Sequence, residues 1–223
     1  MQRQIRSFVR RAGRMTPAQE AAIKRLWPRF GIDFAAAPLD LEGLFGRHAP
    51  RVLEIGFGNG DTLVEQAAMA PDTDFIGIEV HEPGVGHCLL RIESAGIGNL
   101  RLICHDAVEV LARQLPPASL ARINLYFPDP WPKKRHHKRR IVNDAFLALA
   151  ARALADGGYL CIATDWAPYA AHIDEVVAAS TAFGTVERCH HAGDRALDRP
   201  TTKFERRGLS KGHGIWDWKL ARL

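Results

Sequence analysis

The stretch Arg51-Val52-Leu53-Glu54-Ile55-Gly56-Phe57-Gly58-Asn59-Gly60 decides the fold of this 223-residue chain. Its first half is mostly apolar and predicts a short buried strand. Glycine adopts positive φ freely and lets a ligand approach the backbone closely. Three glycines alternate in the second half: Gly56, Gly58 and Gly60. A helix is expected to begin at residue 61. A strand, a glycine turn and a helix in this order are typical of the nucleotide site of a doubly wound α/β sheet.

The glycine spacing and one carboxylate narrow the choice of ligand. The pattern is G-x-G-x-G, whereas dinucleotide-binding enzymes carry G-x-G-x-x-G. Glu54 precedes the turn, where a carboxylate would repel a pyrophosphate but would suit a positively charged sulfonium with an amino-acid tail. The turn therefore predicts S-adenosylmethionine rather than NAD, held by Glu54 and the three glycines. A glycine turn without any ligand is the alternative.

Two further acidic residues follow predicted strands. Residues 74–80 form the second strand, and Glu79 lies about twenty residues beyond the glycines, where a carboxylate accepts hydrogen bonds from a ribose diol in this architecture. Asp106 follows the third strand, residues 100–104, and is a candidate for the adenine amino group. Asp106 is equally suited to be the N-cap of the helix predicted over residues 107–114.

Composition indicates one sizeable domain with a polyanionic partner. Hydrophobic residues make up 47% of the chain and the net charge is +5. We expect a flexible basic arm over residues 1–15 and a single domain over residues 16–223. Five arginines lie between Arg3 and Arg14, and a second basic cluster spans residues 133–140. Such clusters favour nucleic acid or an anionic membrane, or they are solvated surface.

Four scattered cysteines contain no C-x-x-C pair, so the sequence predicts neither a zinc site nor a redox motif, and no metal is expected. The sequence shows no signal-peptide core and no apolar run of membrane-spanning length. We therefore expect a cytoplasmic protein that does not bind membranes. The sequence leaves the oligomeric state open between monomer and homodimer.

The segment Pro128-Asp129-Pro130-Trp131-Pro132 follows the fourth predicted strand, residues 121–127. Prolines restrict the backbone and hold it extended. They would fix Asp129 and Trp131 at the carboxyl end of a central strand, where open α/β sheets bind ligands. Asp129 is therefore a candidate residue of a ligand site, and a rigid surface loop with an incidental aspartate is the alternative. Trp131 is equally suited to stack on a base or to anchor the loop.

The basic cluster begins immediately after this segment, and six of its eight residues are lysine or arginine. A run of charge is often only a solvated face. Beside a proline-stiffened acidic site it predicts a grip on a phosphate backbone. The residues assigned to this contact are Lys133, Arg135, Lys138, Arg139 and Arg140.

Three later stretches complete a seven-stranded, mostly parallel sheet with helices on both faces. They cover residues 159–164, 183–189 and 213–220, and the third is expected to be an edge strand. Helices are expected over residues 16–27, 86–95, 142–154 and 167–179. Residues 200–208 are interpreted as a polar segment ending in glycine.

Taken in order, the motifs closely resemble those of the bacterial tRNA (guanine-N7)-methyltransferases across nearly the whole length. The matching pieces are Arg6-Ser7-Phe8-Val9-Arg10-Arg11, Arg14-Met15-Thr16, residues 54–60, residues 128–136, residues 138–140, Thr164-Asp165-Trp166 and Thr202-Lys203-Phe204-Glu205-Arg206-Arg207-Gly208. Many methyltransferases share the glycine turn. The proline-aspartate-proline-tryptophan and threonine-lysine-phenylalanine-glutamate stretches are more specific.

This resemblance implies a Rossmann-like class I S-adenosylmethionine-dependent methyltransferase that modifies a guanosine in the variable loop of tRNA. It implies a cofactor pocket lined by Glu54, Glu79, Asp106 and Asp129, with Asp129 catalytic. It also implies contacts with the substrate from Lys133, Asp165, Thr202, Lys203, Phe204 and Glu205, and contacts with RNA from residues 135–140.

The proposed chemistry suits these residues, because guanine N7 has a free lone pair and needs no base to deprotonate it. Catalysis is then mainly positioning and electrostatics. Asp129 would stabilise the developing cation or bind the N1 and N2 hydrogens of guanine. The alternatives are an amino-methyltransferase, which carries two consecutive prolines after its Asn or Asp, a nucleic-acid-binding protein that has lost catalysis, and an NAD oxidoreductase.

Overall fold

The expected sheet is present and contains one strand more than predicted. The computed structural model describes residues 6–9, 13–193 and 199–223. The sheet has eight strands in the order β1-β4-β3-β2-β5-β6-β8-β7. The strands are β1 (Gly31–Ile32), β2 (Arg51–Ile55), β3 (Asp74–Ile78), β4 (Leu100–Ile103), β5 (Leu120–Tyr126), β6 (Leu154–Thr164), β7 (Phe183–His191) and β8 (Ile215–Arg222). The additional strand is β1, whose two residues were too few to show a hydrophobic pattern.

Strand β8 is the antiparallel member of the sheet. Neighbouring strands from β1 to β6 pair in parallel. Strand β8 lies between β6 and β7 and is antiparallel to both, with Ile162 opposite Trp218. The predicted edge strand at residues 213–220 is therefore wrong in position, because β7 occupies the edge.

Helices cover both faces, as predicted. They are α1 (Pro17–Phe30), α2 (Leu41–Phe45), α3 (Asp61–Met69), α4 (Glu82–Ala95), α5 (Ala107–Arg113), α6 (Asp144–Ala153), α7 (Ala167–Ala179) and α8 (Lys203–Ser210). One core joins α1, α3 and α4 to one face of the sheet. A larger core joins α5, α6 and α7 to the opposite face. Periodic apolar residues explain these helices, since each buries one stripe against the sheet.

Three helices differ from the sequence-based expectation. Helix α1 continues past Pro28 to Phe30, whose side chain is buried. Helix α4 begins at Glu82 because Pro83 occupies the first turn, where a missing N–H leaves no bond unmade. Residues 203–210, interpreted as a polar segment, form α8.

Parallel strands end at one edge of the sheet, and this edge collects the predicted site. The residues that immediately follow β2, β3, β5 and β6 there are Gly56, Glu79, Phe127 and Asp165.

Much of the predicted arm lies outside the described residues, but the carbonyl of Ser7 accepts a hydrogen bond from Trp131 Nε1 at 3.0 Å. Among the helices that the structure describes, none is both long and apolar enough to cross a membrane.

Candidate methyltransferase site

The glycine turn adopts the backbone that its sequence predicts. Gly56, Gly58 and Gly60 have φ of 75°, 61° and 78°, in the left-handed region that glycine tolerates best. Gly84 at the start of α4 packs directly on this turn, since a Cβ there would come within 2.2 Å of the Gly58 carbonyl oxygen. At Gly56 a Cβ would meet nothing within 4 Å, so the turn is open on its outer side.

Glu79 faces the turn and fixes its shape. Its Oε2 accepts a hydrogen bond from Gly58 N at 2.9 Å, and its Oε1 accepts from Val80 N at 2.6 Å and His81 N at 3.0 Å. A carboxylate has about four acceptor positions, so roughly one remains for a ligand hydroxyl. The side chain thus both orders the turn and offers an acceptor beside it.

Glu54 lies beneath the turn as a buried acid. Its side chain is 3% exposed, and Gln66 Nε2 donates to its Oε2 at 3.2 Å. Burial raises the pKa of Glu54 from 4.5 to about 7, against the lowering effects of Gln66 and Arg122. On β5, which pairs with β2, neither amide atom of the buried Asn124 has a hydrogen-bond partner among the described residues. An acid and an amide with unused capacity fit a polar ligand tail that carries an ammonium group.

Asp106 is the N-cap of α5, which was one of the two roles predicted for it. Its side chain accepts from Val108 N at 3.0 Å. The side chain remains partly exposed at the carboxyl end of β4. A second carboxylate oxygen is therefore still placed beside the edge where the other predicted cofactor residues lie.

The segment after β5 holds Asp129 in an exposed, constrained loop. Phe127 and Trp131 have φ of 53° and 46°, a conformation that costs about 1–3 kcal/mol for a bulky residue. Such strain persists where surrounding contacts impose it, and it clusters at functional sites. Asp129 lies between these two residues, with Pro128 and Pro130 beside it. The backbone that carries Asp129 is therefore constrained on both sides.

The basic cluster forms a 3₁₀ helix, Lys134–Arg139, which we call the basic 3₁₀ helix. Lys133, Arg135 and Lys138 are exposed, and Arg139 stacks over Trp131 at 4.9 Å. Partial burial and then the charges of Arg135 and Arg139 lower the pKa of His136. The exposed lysines and arginines around it form a positively charged surface, which suits a phosphate ligand.

Arg140 differs from the other cations of the cluster. Its side chain is buried, its Nε donates to the Pro130 carbonyl at 3.0 Å, and its guanidinium lies over Tyr169 at 4.9 Å. A guanidinium committed to these groups is not presented to an RNA backbone. The structure therefore corrects the assignment of Arg140, which holds the Asp129 loop against α7.

Asp165 lies at the end of β6, packed against α8. A Cβ at Gly208 would approach Asp165 Oδ2 to 2.9 Å, so glycine is required for this contact. His213 Nδ1 lies 3.3 Å from the same oxygen. The predicted substrate carboxylate is thus oriented by α8 and by a histidine that the sequence analysis did not identify.

The four predicted substrate residues at 202–205 separate into two pairs. Thr202 and Glu205 are buried and form a capping box, with the threonine hydroxyl accepting from Glu205 N at 3.0 Å. Their contact with substrate is therefore not direct in this arrangement. Lys203 and Phe204 are exposed, and Phe204 Cε2 lies 3.8 Å from the position of a Cβ on Gly58. The pattern T-x-x-E was a sequence signal for α8.

Arg199 is the main residue that the sequence analysis missed. It is 6% exposed and donates from Nη1 to Glu205 at 2.5 Å and from Nε to Asp217 at 2.6 Å. Its guanidinium also lies 5.6 Å from the Phe127 ring. One buried cation thus ties α8 to β8 and to the residue before the Asp129 loop. No local motif could have identified it, because Asp217 lies 18 residues further along the chain and Phe127 lies on the far side of the domain in sequence.

Cys189, His191 and Asp217 offer ligand atoms that lie within 4.8 Å of one another. Arg199 binds both carboxylate oxygens of Asp217, at 2.6 Å and 3.0 Å. This group is therefore already neutralised by a cation of the protein itself.

Comparisons with known proteins agree with this geometry. A family model described as a putative methyltransferase matches residues 48–218. A tRNA (guanine-N(7)-)-methyltransferase of Aeromonas hydrophila subsp. hydrophila is 57% identical over 99% of this chain and 93% of its own length. The protein of the same name from Sodalis glossinidius is 53% identical over 99% of this chain and 92% of its own length.

Solved structures support the fold. An antibiotic-related methyltransferase has a TM-score of 0.59 at 14% identity, covering 86% of this chain and 96% of that chain. The 16S rRNA methyltransferase KamB has the same TM-score and identity, covering 82% and 93%. The architecture is therefore that of the class I methyltransferases, which use S-adenosylmethionine.

Proposed function

The chain belongs to the tRNA (guanine-N7)-methyltransferase family, and we propose that it methylates N7 of a guanosine in the variable loop of tRNA. The observation that carries the proposal is the convergence of three groups at one sheet edge. These are the glycine turn with Glu79, the strained loop bearing Asp129, and the exposed cations of the basic 3₁₀ helix.

The cofactor side of the site, which comprises the glycine turn, Glu79, Glu54 and Asn124, suits a polar ligand that carries positive charge. S-adenosylmethionine supplies the methyl group when it is bound. The open turn at Gly56 admits a ligand close to the backbone, and Glu79 offers one further acceptor beside it. Glu54 and the amide of Asn124, which has no hydrogen-bond partner in the described part of the chain, would hold the amino-acid tail.

The substrate side stabilises charge. Guanine N7 carries no proton, so no residue has to remove one before methyl transfer. The ring becomes cationic as the methyl group is transferred, and a carboxylate at Asp129 interacts with that cation more strongly than with neutral guanine. Such differential interaction raises the rate, whereas equal binding of both states would not.

In this proposal, one set of residues binds the phosphate backbone of the RNA and another set contacts the target base. Lys133, Arg135, Lys138 and Arg139 hold the phosphate backbone through charge, without reading sequence. Phe204 and Asp165 lie nearer the edge, where an aromatic ring and a carboxylate suit an unstacked guanine. The assignment of the variable loop rests on the family resemblance rather than on these contacts.

The test uses unmodified tRNA transcripts and S-adenosylmethionine carrying a labelled methyl group. We expect label in N7-methylguanosine at one variable-loop nucleotide, and no label in a transcript whose variable-loop guanosine is replaced by adenosine. Label on an exocyclic amine would favour the amino-methyltransferase alternative. Cofactor binding without any transfer to tRNA would favour a binding protein that has lost catalysis.

A further inference from the structure

Helix α8 carries a stripe of cations, of which only Lys203 belongs to the substrate residues that the family resemblance implies. Lys203, Arg207 and Lys211 recur every fourth residue, the last being the C-cap, and all three are exposed. Residues four apart lie one above the other on a helix, so the charges form a line about 12 Å long. Arg206 is exposed beside this line.

The same helix keeps its negative charge away from this surface. Its sequence Lys-Phe-Glu-Arg-Arg-Gly-Leu-Ser contains one carboxylate, Glu205, which is buried and paired with Arg199 at 2.5 Å. The outward face of α8 is therefore cationic without a compensating acid of its own. A surface of this kind attracts a polyanion rather than an acidic side chain from the same helix.

Helix α8 and the basic 3₁₀ helix lie on opposite sides of the site edge. Arg140 attaches the 3₁₀ helix to α7, through Pro168 and Tyr169. Trp218 of β8 also faces α7, since its Nε1 donates to Asp174. The adjacent Asp217 faces the other way, because successive residues of a strand alternate.

Through Asp217, Arg199 and Glu205, α8 is tied to the face of the sheet that carries α3 and α4. Phe204 at its start lies over Gly58 of the turn, which agrees with this placement. Asp129 and Asp165 thus lie between two cationic elements, one from each face of the sheet.

We propose that Lys203, Arg207 and Lys211 form a second binding surface for the tRNA phosphate backbone, opposite the basic 3₁₀ helix. The inference rests on the proposed function, since it needs tRNA as substrate. Two surfaces would hold the strand on both sides of the target guanosine, so that the base between them turns towards the edge. Each surface adds its own salt-dependent contacts.

The experiment measures tRNA affinity against salt concentration for the wild type and four double variants. Arg207→Ala with Lys211→Ala removes the α8 contacts, and Lys138→Ala with Arg139→Ala removes contacts of the 3₁₀ helix. Lys24→Ala with Arg113→Ala removes two exposed charges on α1 and α5 as the matched control. Thermal unfolding and S-adenosylmethionine affinity verify that each variant is folded.

We expect the α8 variant to lower the log–log salt slope by about 1.5 to 2 units, as for two lost phosphate contacts, and to raise KM for tRNA more than it lowers kcat. The control should keep the wild-type slope. Arg207→Lys with Lys211→Arg should also keep it, because both positive charges remain. If the wild-type protein methylates tRNA but the α8 variant keeps the wild-type salt slope, this inference is overturned and the proposed function stands. Failure of the wild-type protein to methylate tRNA instead overturns the proposed function.

Discussion

The cofactor side and the substrate side of the site are held together by different forces. The glycine turn is fixed by its own backbone N–H groups, since Gly58 N donates to the Glu79 carboxylate and Gly56 N donates to the Ile78 carbonyl. Helix α8 is fixed by a buried arginine paired with two carboxylates from different segments. Backbone geometry leaves a local sequence signature, whereas a buried ion cluster leaves none. Single substitutions on the two sides should therefore have different effects on stability, on cofactor affinity and on tRNA methylation.

The largest expected effect comes from the substrate side. Arg199→Met leaves Glu205 and Asp217 buried without their cation, which should lower the free energy of unfolding by about 3–5 kcal/mol. Urea unfolding measures this loss. Arg206→Met, an exposed arginine of α8, is the control and should cost little.

Where the Arg199 variant is still folded, cofactor binding and tRNA methylation should respond differently to the substitution. Its affinity for S-adenosylmethionine should change much less than its kcat/KM for tRNA, because the hydrogen bonds that fix the turn go to Glu79 and Ile78 and not to Arg199. Equal losses of both quantities would show that the two sides are not independent.

The next effect concerns the charge between the two sides. Asp129→Asn keeps the shape of the side chain and removes its charge, so kcat should fall by about 10²-fold or more. Single-turnover methylation at saturating cofactor and tRNA measures this step. Near-normal turnover would leave Asp129 as a structural residue of its loop, while tRNA affinity should be nearly unchanged in either case.

The cofactor side also contains one buried acid, Glu54, whose contribution to stability should depend on pH. Its pKa is raised by burial from 4.5 to about 7, so the folded state binds more protons than the unfolded state between these values. Stability should therefore decrease as pH rises through this window, by about 3 kcal/mol, and level off above it. Glu54→Gln should remove this slope in urea unfolding of the ligand-free protein. An identical pH dependence in both proteins would refute the buried-acid assignment.

The smallest effect belongs to the turn itself. Glu79→Ala should weaken S-adenosylmethionine binding by about 1.5–3 kcal/mol, the usual value of hydrogen bonds to a charged group. Calorimetry measures the change. Glu79→Gln keeps one carbonyl acceptor for Gly58 N and should lose less, which separates ordering of the turn from the ligand contact. Unchanged affinity in a folded Ala variant would reject the assignment.

Sequence reasoning succeeded where a short segment contains its own physical cause. The turn at Gly56–Gly60 and the cap at Asp106 follow from local backbone requirements, and the seven longer strands follow from apolar runs. It failed where distant residues decide. The burial of Arg140 depends on packing against Tyr169, and the role of Arg199 depends on a strand 18 residues further along the chain. Helix α8 was missed although its capping box was visible.

The position of β8 in the sheet has a consequence for the order of folding. In the part of the chain that the structure describes, β7 pairs with β8 and with no other strand. Strand β3 has both of its partners, β2 and β4, within residues 51–103, the first half of the chain to be synthesised. Strand β7 must wait for β8, and with it Asp217, the partner of Arg199. The residues that fix the glycine turn, Ile78 and Glu79, are thus synthesised well before Asp217, the residue through which Arg199 holds α8.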